Sequence, residues 1–156
     1  MCRSIKNVDK SINDNEQRVW RSFNSAHLQL LEQLDRRLQQ DSKLSLADFQ
    51  ILEAIGQAPQ QRLRMSNLAM RLHVSRSRLT YRVDQLEKAE LLTRQACSDD
   101  GRGLFAVLSP LGISTLQELK KRHDESMRAW FFDEFNGEEL DQLGRLTDRL
   151  NSNLTR

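Results

Sequence analysis

The chain has 156 residues, of which 38% are hydrophobic, which is enough for one or two small domains with a packed core. Its 24 basic and 22 acidic residues give a net charge of +2, which excludes no class of partner because opposite charges in different segments cancel. The sequence has no run of about 18 apolar residues, and its polar start lacks the apolar core of a signal peptide. We therefore expect a cytoplasmic protein that does not interact with a membrane.

The first half of the chain has the patterns of helices. Residues 19–38 carry apolar side chains at the spacing of one stripe along a long helix. Ser45, followed three residues later by Asp48, predicts a capped start for a second helix. Gly56 and Pro59 predict where that second helix ends.

Two short helices are expected to follow in immediate succession. The stretch "MSNLAMRL", residues 65–72, predicts a helix that turns Leu68, Ala69 and Leu72 inward. Ser75 is a good N-cap for the next helix, within "VSRSRLTYRVDQLE". The spacing of that helix separates two sets of side chains. The inward set is Leu79, Val83 and Leu86, and the outward set is Arg76, Ser77, Arg78, Tyr81, Arg82 and Gln85.

The basic charge of the chain is concentrated in this part. Residues 1–61 hold 8 basic and 8 acidic residues, and residues 103–156 hold 7 and 9. Residues 62–102 hold 9 and 5, and residues 62–82 contain six arginines with no Asp, Glu or Lys. A solvated helix face normally mixes both signs of charge, so this segment indicates a surface for a negatively charged partner.

The remaining segments predict a β-hairpin and two more helices. The runs "LLTRQAC" and "LFAVLS" suit half-buried strands, and "SDDGRG" between them is a turn. Ser109 and Pro110 predict the cap and first position of a helix that runs toward Phe132. Asn136, with Glu139 three residues later, caps a final amphipathic helix whose stripe is Leu140, Leu143, Leu146, Leu150 and Leu154.

Two helices joined by a tight turn and followed by a hairpin describe a winged helix-turn-helix. The expected fold class is mainly α with a small β-hairpin wing. A helix with Arg and hydroxyl side chains at its N-terminal end can enter the major groove, where Arg pairs bidentately with guanine. An arginine at the tip of the hairpin, Arg102, can enter the adjacent minor groove, whose negative potential attracts a guanidinium.

From about Ser45 to Gly112 the sequence resembles the MarR family of bacterial transcriptional regulators. The stretch from "LAMRLHVSRSRLTYRVDQLEKAELL" through "SDDGRGLFAVLSPLG" is similar to the family's helix-turn-helix, wing and following helix in order and length. The resemblance implies that Arg102 enters the minor groove and that Asp100 holds the wing in shape by pairing with a nearby arginine. Gly101 replaces the commoner basic residue between them, so one phosphate contact of the family is expected to be missing.

The resemblance also implies that the outer helices form a two-fold dimer. We expect residues 1–44 to form an N-terminal arm and dimerisation helix, residues 45–110 the DNA-binding domain, and residues 111–156 the C-terminal dimerisation helices. A dimer would place two recognition helices about 34 Å apart, the spacing of a pseudo-palindromic site.

The candidate DNA-binding residues belong to the two short helices, their flanks and the wing. They are Arg64, Ser66, Ser75, Arg76, Ser77, Arg78, Thr80, Tyr81, Arg82, Arg94, Asp100 and Arg102. The plain alternatives are a solvated face for the arginines and an ordinary polar turn for "DDGRG". Which arginines contact bases and which contact phosphates stays open.

A second set of residues concerns regulation. Trp20, Phe23, His27 and Phe49 are interpreted first as dimer or domain core, because a buried aromatic is more often packing than part of a ligand site. The alternative is an effector pocket between the dimerisation helices and the winged domain, where many relatives bind small, often phenolic, anions.

The two cysteines and the histidines suggest little further chemistry. Cys2 and Cys97 are too few for a disulfide framework and are interpreted as thiols. Arg94 and Arg102 could lower the pKa of Cys97 and favour its oxidation, but an incidental Cys97 is the preferred interpretation. The three histidines form no ligand cluster in the sequence, so we expect no metal and no cofactor, although a site assembled across a dimer stays open.

We interpret the chain as a transcriptional regulator. It is expected to repress by binding its operator DNA as a homodimer and to be released by a small phenolic or other anionic effector. The alternatives are a redox-sensing regulator that uses Cys97 and a helical protein-interaction module without DNA binding. No catalytic spacing is recognisable, so we do not expect an enzyme.

Overall fold

In a computed structural model of the chain, residues 11–96 and 103–154 are described. These residues form six α-helices and three β-strands. The elements in chain order are α1 (Asp14–Ser42), α2 (Leu46–Gly56), β1 (Arg62–Arg64), α3 (Met65–Arg71), α4 (Arg76–Lys88), β2 (Leu92–Ala96), β3 (Leu104–Leu108), α5 (Pro110–Trp130) and α6 (Gly137–Leu154). The predicted mainly helical fold with a β-wing is confirmed.

The helix starts follow the capping residues of the sequence. Ser45 and Asp48 form the expected capping box at α2, and Ser109 caps α5 with Pro110 in the first turn. The first helix is longer than the apolar stripe of residues 19–38 indicated. It begins at Asp14 because Asn13 and Glu16 form a further capping box, which satisfies the otherwise free backbone N–H groups of the first turn.

A three-stranded antiparallel sheet replaces the simple hairpin. The strand order is β1-β3-β2, so β3 is the central strand. Strand β1 is only the sequence Arg-Leu-Arg, too short to give an alternating pattern, and it pairs with β3 through Arg62↔Val107 and Arg64↔Phe105. The wing is therefore hydrogen-bonded to the segment that leads into α3.

The core of the winged region is built from the inward faces of its helices and strands. Leu79, Val83 and Leu86 of α4 are each at most 1% exposed, as the helical spacing predicted. They join one cluster with residues of α2, α3, β2 and β3. A second cluster joins α1, α2 and α5 and consists of Leu34, Leu38, Leu46, Phe49 and Leu119.

The apolar stripes of α6 and of the first half of α1 are not covered by other parts of the described chain. In the first half of α1, Val19, Trp20, Phe23 and Leu28 are exposed. Among the described residues, α6 contributes none that is buried, and its Leu146, Leu150 and Leu154 are exposed. The core of one chain therefore leaves the apolar side chains of the first half of α1 and of α6 exposed to solvent.

One close backbone approach fixes the joint between the sheet and α5. The hydroxyl of Ser109 donates to the carbonyl of Glu90 at 2.6 Å and accepts from the N–H of Gly112 at 2.9 Å. A Cβ at Gly112 would lie 1.8 Å from the carbonyl oxygen of Leu91. The glycine that ends "LSPLG" is thus required by the contact between α5 and the end of α4.

Candidate nucleic-acid interface

The N-terminal half of α4 presents an exposed basic surface. Ser75 accepts a hydrogen bond from the N–H of Arg78 at 3.3 Å and so caps the helix. Arg76, Ser77 and Arg78 are exposed, and Tyr81 is 62% exposed. No acidic side chain occurs between Arg62 and Val83. The positive end of the helix dipole adds to these guanidinium charges, so the surface favours an anionic partner.

The turn before α4 sets the angle at which this surface is presented. His73 adopts φ 53°, in the left-handed region, which lets the chain reverse between α3 and α4. The N–H of Val74 donates to the carbonyl of Ala69 at 3.1 Å and closes the turn. Because Leu68 and Leu79 are buried on either side of the turn, the exposed start of α4 is held by the core.

A cleft of about 320 Å³ lies between α3, α4 and the wing. Four residues of the predicted interface line it, namely Arg64, Ser66, Arg76 and Thr80. Its apolar wall includes Met65, Leu79 and Leu104. Two guanidinium groups and two hydroxyls around one opening have the donor chemistry that binds a phosphate group.

Arg62 belongs to the same basic edge although the sequence did not single it out. Its guanidinium lies 4.8 Å from the centre of the Phe105 ring, and that of Arg64 lies 5.8 Å from the same centre. The Arg-Leu-Arg alternation places both arginines on one face of β1. That alternation was the available signal, but a three-residue strand is too short to recognise without its partner.

Arg82 is turned away from the exposed surface of α4. Its Nη1 donates to the hydroxyl of Ser45 at 3.0 Å and lies 3.3 Å from Oδ2 of Asp48. The Arg82 side chain is 38% exposed, whereas that of Asp48 is 12% exposed. The helical spacing placed Arg82 outward, but it borders α2, whose N-terminus holds this carboxylate.

Arg94 is also engaged within the chain. Its guanidinium lies 2.6 Å from Asp84 and 2.7 Å from Glu87, and it donates to the carbonyl of Thr80 at 3.2 Å. The side chain is only 18% exposed. Arg94 therefore braces β2 against α4, and its charge is balanced by two carboxylates.

The tip of the wing falls outside the described residues. Asp100, Arg102 and Cys97 lie in the segment 97–102, between the paired strands β2 and β3. The predicted roles of Asp100 and Arg102 in the wing and of Cys97 in redox sensing stay predictions.

Two of the four candidate effector residues line one cavity. Phe23 and His27 line an open apolar cavity of about 730 Å³ formed by α1, the end of α5 and α6. Trp20 is next to Phe23 on α1, with ring centres 6.3 Å apart. Phe49 is 1% exposed and belongs to the core between α1, α2 and α5. This cavity lies between α1, the end of α5 and α6, and an effector pocket between these helices and the winged region stays a prediction.

The described residues were also compared with the requirements of a metal site and of a membrane-spanning helix. Within residues 11–96 and 103–154, no three His, Cys, Asp or Glu side chains come together as a metal site. In the same ranges no helix is long and apolar enough to cross a membrane.

Comparisons with known proteins connect this geometry to a family. Residues 44–104 match the model of the MarR family. AbsC, a MarR family transcriptional regulator from Streptomyces coelicolor, is 33% identical over 94% of this chain and 98% of its own, with a TM-score of 0.89. Sco3205, a MarR family regulator of the same organism solved in complex with DNA, is 32% identical over 97% and 94%, with a TM-score of 0.93.

More distant structures agree in fold alone. A mutant of MarR from E. coli, complexed with operator DNA, is 17% identical over 90% of this chain and 99% of its own, with a TM-score of 0.78. No curated protein matches the sequence.

Proposed function

Since the chain belongs to the MarR family of transcriptional regulators, we propose that it binds double-stranded DNA sequence-specifically through α4 and the wing. The observation that carries this proposal is the exposed, acid-free start of α4, with Arg76, Ser77, Arg78 and Tyr81. The DNA complexes of Sco3205 and of the E. coli protein support the same use of the fold. The family consists of regulators, and an enzymatic activity is not part of the proposal.

The exposed residues are assigned to different parts of the DNA, either a base or a phosphate. Arg78 inserts into the major groove, where its guanidinium pairs with the O6 and N7 atoms of guanine. The cleft with Arg64, Ser66, Arg76 and Thr80 binds a phosphate of the flanking backbone and fixes the register of the helix on the duplex. Arg102 at the tip of the wing enters the minor groove, as the family resemblance implies.

The chain acts as a homodimer. One winged region contacts few base pairs, whereas two recognition helices about 34 Å apart contact the half-sites of a pseudo-palindrome. The uncovered apolar stripes of α1 and α6 are the surfaces that the second copy covers. Burial of such residues is the usual source of dimer stability. Residues 1–44 and 111–156 are then the dimerisation segments, and residues 45–110 the DNA-binding domain.

The regulatory step follows from this arrangement. The protein is cytoplasmic, and its dimer binds an operator that overlaps a promoter. In this way it represses transcription. A small phenolic or other anionic effector releases it by binding more tightly to an arrangement of the two winged regions that does not fit the operator. Phe23 and His27 are the candidate effector residues that line a cavity.

Selection of bound sites from a random DNA pool tests the proposal. We expect one pseudo-palindromic motif whose half-site centres are about one helical turn apart. With that site, the logarithm of the affinity should fall linearly with the logarithm of the salt concentration, at a slope of about −0.9 per phosphate contact. Release assays on the same site, with phenolic anions and with oxidant, then separate an effector from a thiol switch at Cys97.

A helical interaction module without DNA binding is the competing function. Such a module would give no enriched motif and only a shallow dependence on salt, because an ordinary protein interface releases few counterions. That pair of results would refute the proposed function.

A further inference from the structure

Three helices of the protein are connected by side chains at the N-terminus of α2. From α4, Arg82 donates to Ser45 at 3.0 Å and pairs with Asp48 at 3.3 Å. From α1, Oδ1 of Asp35 accepts a hydrogen bond from the N–H of Leu46 at 2.7 Å. The helix α4, which is the recognition helix of the proposed function, and the long helix α1 are therefore both bonded to the first turn of α2.

Asp48 is the central group of this junction. Its Oδ2 accepts from the N–H of Ser45 at 3.0 Å and from the Ser45 hydroxyl at 2.5 Å, in addition to facing Arg82. Residue 48 is 8% exposed, so water contributes little to its solvation. The carboxylate also lies at the positive end of the α2 dipole. Asp48 is thus held in one position, which gives Arg82 a fixed partner.

Asp35 is equally constrained on the other side of the junction. Nε2 of Gln39 donates to its Oδ2 at 2.5 Å, one turn along α1, while its Oδ1 bonds to the backbone of Leu46. The bond to a backbone N–H fixes the start of α2 relative to α1, since it does not depend on a second flexible side chain. The turn of α2 that holds Arg82 is therefore bonded directly to α1.

The apolar packing of α4 is supplemented by the hydrogen bond of Arg82 to α2. Leu79, Val83 and Leu86 fix which face of α4 is buried, but they are apolar contacts on one side of the helix. Arg82 adds a directional bond on the flank that borders α2. Its guanidinium is already bonded within the chain, in contrast to the exposed Arg76 and Arg78.

We propose that Arg82 is a positioning residue that, through Asp48 and Asp35, sets the placement of the recognition helix relative to the outer helix α1. The inference rests on the proposed function, because placement matters only if a dimer must match two half-sites. In that dimer, the junction fixes the distance between the two copies of α4. The junction then determines which spacing of half-sites the protein prefers, without Arg82 contacting DNA.

The experiment uses the full chain and the site obtained by selection, with a second site that has one base pair inserted between the half-sites. The variants are Arg82→Gln, Asp48→Asn, their double variant, and Asp35→Ala. Each single variant should bind the selected site about 2- to 30-fold more weakly, the range found for residues that couple distant elements. The preference for the selected spacing over the lengthened one should fall as well, and the salt slope should stay that of the wild type.

The double variant tests whether the two residues act together. If Arg82 acts through Asp48, the DNA affinity of the double variant should be no lower than that of the single variant with the lower affinity. A thermal melt of each protein shows whether it is folded. If Asp48→Asn does not fold, Asp35→Ala still decides, because Asp35 contacts neither Arg82 nor the exposed surface of α4.

A matched control removes an arginine elsewhere. Arg36 forms an exposed ion pair with Glu32 on α1, and Arg36→Gln should change neither affinity nor spacing preference. If Arg82 instead contacts a phosphate, Arg82→Gln lowers the salt slope by about one and Asp48→Asn does not weaken binding, which overturns the inference. Unchanged spacing preference in all folded variants overturns it too. A wild-type protein that enriches no DNA overturns the proposed function itself, and the inference with it.

Discussion

The imidazole of His123 packs against the ring of Phe49, with ring centres 4.5 Å apart and planes inclined by 42°. Its Nδ1 is buried and has no hydrogen-bond partner among the described residues. Burial lowers the pKa of His123 below its ordinary value of 6.5, and the carboxylates of Glu53 and Asp124 only partly oppose this. The folded protein therefore favours the neutral imidazole at the contact between α2 and α5.

Acidification should destabilise the fold through His123. Below about pH 6.5 His123 binds a proton readily in the unfolded chain, whereas in the folded chain it does so only at lower pH. The stability that this histidine contributes above pH 6.5 is therefore lost as the pH falls from 6.5 through the lowered pKa of the folded state. Urea unfolding across this range should show a steeper loss for the wild type than for His123→Gln. The comparison is His73→Asn, which removes an exposed histidine elsewhere and keeps a residue that tolerates positive φ. Parallel pH profiles for wild type and His123→Gln would contradict this account.

Gly112→Ala should destabilise the winged region. The new Cβ would meet the carbonyl oxygen of Leu91 at 1.8 Å, and because that atom is backbone the two segments must separate. We expect a loss of about 1–3 kcal/mol, as in other overpacked sites, measured from the urea midpoint at constant m-value. Gly137→Ala is the matched change, since nothing lies within 4 Å of its Cβ position. It should leave the midpoint nearly unchanged, and equal effects of the two variants would refute the steric explanation.

Arg78→Ala should relax DNA specificity without loss of folding. Arg78 is exposed at the start of α4, so its truncation removes no core contact. If it is bidentate to guanine, binding to the selected site should weaken by about 1–3 kcal/mol, with discrimination lost at one base pair. Affinities for the selected site and its single-base variants provide the measurement. A uniform loss on every sequence would assign Arg78 to a phosphate.

Leu150→Glu should disrupt the dimer. Leu150 is exposed on the apolar stripe of α6, so a charge there costs little in one chain but much in a dry interface. Light scattering at micromolar concentration should give the mass of two chains for the wild type and of one chain for the variant. Ser152→Glu introduces the same charge on the opposite side of α6 and should remain dimeric. A wild type with the mass of one chain would refute the dimer.

The parts of the fold that local chemistry determines were predictable from the sequence. The inward positions of α4 and the caps Ser45, Ser75 and Ser109 follow from spacing and from the hydrogen bonds that serine side chains make at helix starts. The start of α1 at Asp14 was missed although Asn13 and Glu16 carry the same signal, because the apolar stripe begins several residues later.

The parts that depend on neighbours in space were not predictable. Strand β1 exists only because β3 offers it a partner. Arg82 and Arg94 have the charge expected of a DNA contact, and only the fold brings Asp48, Asp84 and Glu87 next to them. Charge patterning thus identified the exposed basic surface of α4 and its flanks, but it could not tell unpaired guanidinium groups from paired ones.

The central position of β3 makes the wing part of the helix-turn-helix. On one side β3 bonds to β2, and on the other to β1, which runs directly into α3. A displacement of β2 is therefore passed through two ladders of hydrogen bonds to β1 and from there to α3, the helix that precedes α4. Under the proposed function, α4 and the strands of the wing therefore approach or leave DNA as a single body, and a signal that alters binding acts by turning that body about its joints with α1 and α5.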